Sequence, residues 1–138
     1  MKNYELMQNT TPTLNEYITL CSSVGWKEYM NFDVAGTALA NSVYSVMVKD
    51  GDEVIGMGRI VGDGAIYFYI QDVVVRPDYQ SKGIGKEIMD ELMRYIKEHA
   101  PSKAFVGLFA SEGKEAFYEK YDFKDYSPNM TGMFMVNP

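Results

Sequence analysis

Residues 73–86 read VVVRPDYQSKGIGK, and their order decides how the rest of the chain is read. A β-branched apolar run, the composition of a buried strand, stops at Pro77, which has no N–H to give to a ladder. Gln80-Ser81-Lys82-Gly83-Ile84-Gly85-Lys86 follows. It opens a segment in which Ile84, Ile88, Leu92, Tyr95 and Ile96 recur at spacings of three and four, the period of a helix. The first turn of a helix carries unpaired N–H groups and a partial positive charge, and glycines let an anion approach without a Cβ in the way. The same two glycines also suit a bare tight turn, so both readings stand at this point. A Walker loop is excluded, because Gln80 stands five residues before Gly85 and Glu87 follows the lysine. The dinucleotide fingerprint is incomplete, because Ile88 occupies its third glycine.

Working outward, Lys97 and His99 close this helix and Pro101 stops it. Ala104 to Phe109 is a nearly continuous apolar strand, and residues 114–121 form a short helix. Residues 131–136 read as a last strand. On the N-terminal side, residues 43–49, 53–61 and 65–75 read as an antiparallel meander, with turns at Asp50-Gly51-Asp52 and Gly62-Asp63-Gly64. Residues 4–7 suit a first strand. Thr13 and Glu16 make a capping box for a helix to Val24, with Leu14, Tyr17, Ile18 and Cys21 on one face. Asp33 is a second cap, for residues 34–41. The order predicts one α/β domain over residues 1–138.

The 138 residues carry a net charge of −6, which argues against nucleic acid and anionic membranes as partners. MKNYELMQNT has no apolar h-region, and no apolar run reaches a membrane span, so a cytoplasmic location is the expectation. Cys21, the single cysteine, excludes an internal disulfide and a Cys-rich metal site, and no metal is expected.

Gln80-x-x-Gly83-x-Gly85 after a Val-rich strand resembles motif A of the GNAT acetyltransferase family. Ala116-Phe117-Tyr118-Glu119-Lys120-Tyr121-Asp122-Phe123 resembles the family's later FYEKxGF section, one helix and one strand downstream. IGMGRIVGDG, IQDVVV, YQSKGIGK and the terminal GMF are similar to bacterial members related to plastid-type serotonin N-acetyltransferases. The resemblance implies a mixed, mostly antiparallel sheet of about six to seven strands, splayed at its centre and flanked by about four helices. It implies acetyl-CoA as cosubstrate, with the pyrophosphate on Gln80, Ser81, Lys82, Gly83, Ile84, Gly85 and Lys86. Pantetheine would lie along Val73, Val74 and Val75, with Ser111 and Lys114 adding contacts. A homodimer is compatible with the family.

Amine acetylation requires loss of the ammonium proton, stabilisation of an oxyanion and a proton or hydrogen bond for the departing thiolate. The resemblance assigns the last role to Tyr118. Asp72, a carboxylate inside an apolar strand, is a candidate to attract or deprotonate the ammonium, or else a structural hydrogen-bond partner. The chain departs from family patterns at Tyr69 and Gln71, where many relatives carry Glu, at Ser111, where Asn is frequent, and at Asp122, which stands for the Gly of the corner. Trp26, Tyr29, Tyr69, Gln71 and Met133 are candidates for the acceptor pocket. The expected reaction is direct acetyl transfer to a small primary amine, arylalkylamine-like or polyamine-like. A protein lysine or N-terminus is the second acceptor class, and an acyl-CoA sensor without turnover is the third reading.

Overall fold

A computed structural model of the protein describes residues 3–138; Met1 and Lys2, which open the stretch read as leaderless, lie outside the described residues. The chain divides into two compact units, one ending at Val106 and one spanning Gly107–Pro138.

The sheet has the order β1 (Tyr4–Gln8), β2 (Tyr44–Asp50), β3 (Glu53–Gly62), β4 (Tyr67–Val75), β5 (Phe105–Gly107), and all of it but Gly107 belongs to the first unit. The first three pairings are antiparallel. Five strands form among the described residues where six to seven were expected. Residues 131–136 pair with no strand, and residues 104–109 shrink to the three of β5. Both segments have strand-like composition, but a strand exists only where a partner supplies the ladder.

Helix α1 (Leu14–Ser23) begins on the anticipated capping box: Glu16 N donates to Thr13 Oγ1 at 3.2 Å and Thr13 N to Glu16 Oε1 at 2.9 Å. Its inward face is Tyr17, Leu20 and Cys21, whereas Leu14 is 46% exposed, so the apolar stripe is rotated from the expected one. Two 3₁₀ turns, Lys27–Tyr29 and Phe32–Val34, lead to α2 (Ala35–Ala40). Asn31 caps the second turn by accepting from Asp33 N at 3.0 Å; Asp33, expected as the cap, is the donor residue instead.

One face of the sheet packs on α1 and α2 through Met47, Met57 and Val74. The other packs on α3 (Ile84–His99), whose Ile84, Ile88, Met89, Leu92 and Ile96 are buried as its period requires. That approach is close because β3 offers glycine: a Cβ on Gly58 would stand 2.6 Å from Ile88 Cγ2 and 3.0 Å from Leu92 Cδ1. A β-branched helical side chain cannot turn away. Gly58→Ala is therefore expected to cost about 1–3 kcal/mol in urea denaturation. Gly36→Ala, where the added Cβ meets nothing within 4 Å, is the control and should not destabilise the fold.

The second unit contains α4 (Glu115–Glu119), after which residues 120–138 form turns and irregular chain without a strand. Asp122 takes φ 71, so it adopts the left-handed corner that the sequence assigned to it.

Candidate active site

The glycine turn is held from behind. Gln80 Nε2 donates to Val75 O at 2.9 Å, and Tyr79 Oη donates to Asp50 Oδ2 at 2.6 Å, tying the Pro77–Tyr79 turn to the end of β2. Arg76 N donates to Ile55 O at 2.9 Å, and its guanidinium pairs with Glu53 at 2.9 Å. Ser81 and Gly83 both take left-handed conformations, φ 64 and φ 84, which swing the chain into α3. The first helical bond runs from Glu87 N to Gly83 O at 3.1 Å, and no described side chain caps the helix start. The helix thus starts without a side-chain cap, beside exposed Ser81, Lys82 and Lys86. The Lys82 ammonium sits 5.5 Å from the Tyr79 ring centre, and Lys86 pairs with Asp90 at 2.8 Å.

The two glycines of the turn do different work. Gly83 is required by its own backbone. Replacing it with Ala forces a Cβ into the left-handed region, at an expected cost of about 1–2 kcal/mol in thermal or urea unfolding. Gly85 is not required by the protein: no positive φ applies, and a Cβ there would meet only Val75 Cγ2, at 4.0 Å. A glycine that neither backbone nor packing needs, in a turn where it weakens the helix, leaves clearance for something outside the chain.

The adjacent strand is broken in register. Met57 pairs with Val74 and Arg59 with Gln71, so Gly58 alone opposes both Asp72 and Val73. This is a β-bulge, and Asp72 carries it at φ 53. The extra residue reverses the facing of everything after it. Val74 enters the α1-side core, and Val73 Cγ2 turns toward α3, 3.5 Å from where a Gly58 Cβ would stand. A bulge leaves backbone groups outside the ladder. Phe105 N donates to Ile66 O at 2.7 Å, so β5 enters beside the start of β4, while Val74 and Val75 are laddered to Met57 and Gly56 of β3 on their other side.

Asp72 is 6% exposed, and its Oδ2 accepts from both Arg59 Nε and Tyr17 Oη, each at 2.7 Å. Arg59 Nη1 also reaches Ala38 O at 3.2 Å and Ser42 Oγ at 3.3 Å. The carboxylate read as a partner for the substrate ammonium is thus already engaged by two protein donors. Arg59 and Tyr17 were missed by the sequence reading. The available signal was a single Arg in IGMGRIVG and a single Asp in IQDVVV, opposite charges in two neighbouring apolar strands. Burial, then Asp72, pushes the Tyr17 phenol far above its ordinary value; burial, then the same carboxylate, pushes the Cys21 thiol up to about 11. Cys21 is fully buried and cannot serve as an acyl-carrying nucleophile.

Tyr69 is half-buried and Gln71 exposed. Tyr67 and Tyr69 stand 5.9 and 6.1 Å from the Phe105 ring, forming a partly open aromatic floor on this part of the sheet. Trp26 packs against the α1-side core, whereas Tyr29 is 76% exposed.

In the second unit, Tyr118 lies on α4 with its ring 5.0 Å from Phe117 and 6.4 Å from Phe123, and burial pushes its phenol up. Ser111 O accepts from Lys114 N at 2.9 Å at the approach to α4; both residues are exposed. Met133 is 86% exposed in the tail. Among the described residues there is no cluster of three or more His, Cys, Asp or Glu able to hold a metal, and no helix long and apolar enough to cross a membrane.

Comparison with known proteins matches residues 14–133 to the family model described as an acetyltransferase (GNAT) domain. An uncharacterised N-acetyltransferase, ycf52 of Pyropia yezoensis, is 31% identical over 96% of this chain and 77% of its own. The histone acetyltransferase TAP1 of Glycine max is 32% identical over 83% of this chain, which spans 53% of that protein. Among solved structures, protein SA2161 of meticillin-resistant Staphylococcus aureus superposes with a TM-score of 0.89 at 30% identity, covering 97% of this chain and 99% of the other.

Proposed function

The chain belongs to the GNAT acetyltransferase family, and we propose that it uses acetyl-CoA to acetylate the primary amine of a small molecule by direct transfer. The observation that carries the donor half is Gly85, whose missing Cβ serves no need of the fold. Ser81 to Lys86 would hold the pyrophosphate through the first-turn N–H groups of α3, with Lys82 and Lys86 adding positive charge. The edge of Val73–Val75 away from β3 would take the pantetheine amides as an added strand does.

Acetyl-CoA supplies an activated thioester. The amine, having lost its proton to water, forms a bond from nitrogen to the carbonyl carbon; the nitrogen then gives a second proton to solvent as the carbon–sulfur bond breaks and coenzyme A leaves as its thiolate. A backbone N–H freed at the Asp72–Val73 bulge is the donor available to the oxyanion. Tyr118 donates its hydroxyl hydrogen bond to the departing sulfur. Asp72, held by two donors, is assigned a supporting part and not that of general base.

For the acceptor, the Tyr67–Tyr69–Phe105 floor supports an arylalkylamine-like substrate, with Gln71 as a polar contact. The name of the soybean relative supports a second acceptor class, a lysine side chain on a protein. In this reading the chain acts as one cytoplasmic domain, alone or as a homodimer.

The test is free-thiol release from acetyl-CoA with arylalkylamines, polyamines and lysine peptides. Turnover confined to small amines is the expected result. Turnover confined to peptides selects the second class. Acetyl-CoA binding without turnover on any of them makes the protein a sensor and contradicts the proposal.

A further inference from the structure

We propose that Arg59 and Tyr17 are positioning residues that hold the β4 bulge in its donor-receiving shape through Asp72. This inference rests on the acetyl-CoA reading and adds to it a device that fixes the acetyl end of the site.

The bulge depends on one residue, Asp72, which is not glycine and yet sits at φ 53 in the middle of a strand. Such a conformation persists where the surroundings over-determine it. Here they do. The Asp72 side chain is 4% exposed and that of Arg59 12% exposed, and the two meet at 2.7 Å. Tyr17 approaches the same oxygen from α1, and Arg59 continues to Ala38 O at the end of α2. Donors from α1 and β3 therefore meet on one carboxylate oxygen of β4, and Arg59 links that pair to α2.

A buried ion pair of this kind is a poor source of stability, because desolvation of both charges offsets their attraction and an apolar replacement often serves as well. What the arrangement does supply is a single backbone geometry at the point where the β3–β4 ladder shifts register. That point carries the N–H available to the acetyl carbonyl, and the pyrophosphate turn at residues 80–86 lies beyond it. The network should therefore affect recognition of the acetyl group and leave recognition of the rest of coenzyme A alone.

Isothermal titration of the full chain with acetyl-CoA and with free CoA separates these contributions. In Asp72→Asn and Tyr17→Phe, the affinity for acetyl-CoA should fall about fivefold to tenfold, the worth of one preorganised hydrogen bond, while the affinity for CoA stays within about twofold. Arg59→Lys keeps the charge and should restore part of the loss seen in Arg59→Gln. Should Asp72→Asn fail to fold, Tyr17→Phe carries the test, because it removes only a hydroxyl and keeps the ring that packs 5.9 Å from Phe32. An unchanged acetyl-CoA to CoA ratio in the folded variants, or equal weakening of both ligands, overturns the proposal. Wild-type protein that binds neither ligand overturns instead the donor reading beneath it.

Discussion

Tyr118→Phe is expected to lower kcat about 100-fold, within the range of a lost general acid or hydrogen-bond donor, and to leave the Kd for acetyl-CoA within about twofold. The variant keeps the ring that packs on Phe117 and Phe123, so its fold should survive. The magnitude follows from the leaving group. A thiol of the cysteine type has a pKa of about 8.5 against about 10 for an ordinary phenol, and burial pushes the Tyr118 phenol higher still. Complete proton transfer to the thiolate is therefore uphill, and the hydroxyl acts chiefly as a hydrogen-bond donor whose strength grows as negative charge develops on sulfur. The same shift predicts the pH profile. The phenol is the working form, and burial moves its loss beyond the pH at which an ordinary phenol ionises, so the rate should climb through neutrality as amine is deprotonated, with no fall across the range assayed. Stopped-time thiol assays on wild type and variant between pH 6 and about 10 check both statements. An unchanged kcat in the variant removes Tyr118 from the chemistry and leaves the family membership untouched.

Much of the fold was legible because local rules and tertiary packing agreed. The capping box at Thr13 and Glu16 formed as written, and the stripe from Ile84 to Ile96 became the buried face of α3. The β2–β3–β4 meander followed its turn residues. What was not legible depends on pairing or register. The apolar tail at residues 131–136 has strand composition but no ladder, and Met133, Phe134, Met135 and Val136 are all at least 74% exposed. The bulge at Asp72 was hidden because VVV reads as an apolar run whichever face each valine takes. Only the register with β3 reveals that Val73 and Val74 have exchanged sides. For the same reason Asp72 was legible as unusual, while its partners, 13 and 55 residues away along the chain, were not.

Gly85→Asp should move stability and binding in opposite directions, a separation that few substitutions offer. The backbone accepts a side chain there, since an added Cβ meets no other part of the fold closer than Val75 Cγ2 at 4.0 Å. It replaces a glycine in the first turn of a helix with a carboxylate at the positive end of the helix dipole, a gain of about 0.3–1 kcal/mol. For a bound pyrophosphate the same change is adverse twice over, because the side chain fills the clearance and its charge repels the phosphates. The Kd for acetyl-CoA should rise at least about 100-fold, or about 2.7 kcal/mol.

The central claim, that the acetyl donor is seated on the glycine turn before α3, is tested most directly by titrating acetyl-CoA into wild type and Gly85→Asp calorimetrically, with Tm recorded for both. The account predicts measurable binding to wild type, at least about a 100-fold loss in the variant, and a Tm that is unchanged or higher. Binding of equal strength in the two proteins, with the variant folded, would contradict it.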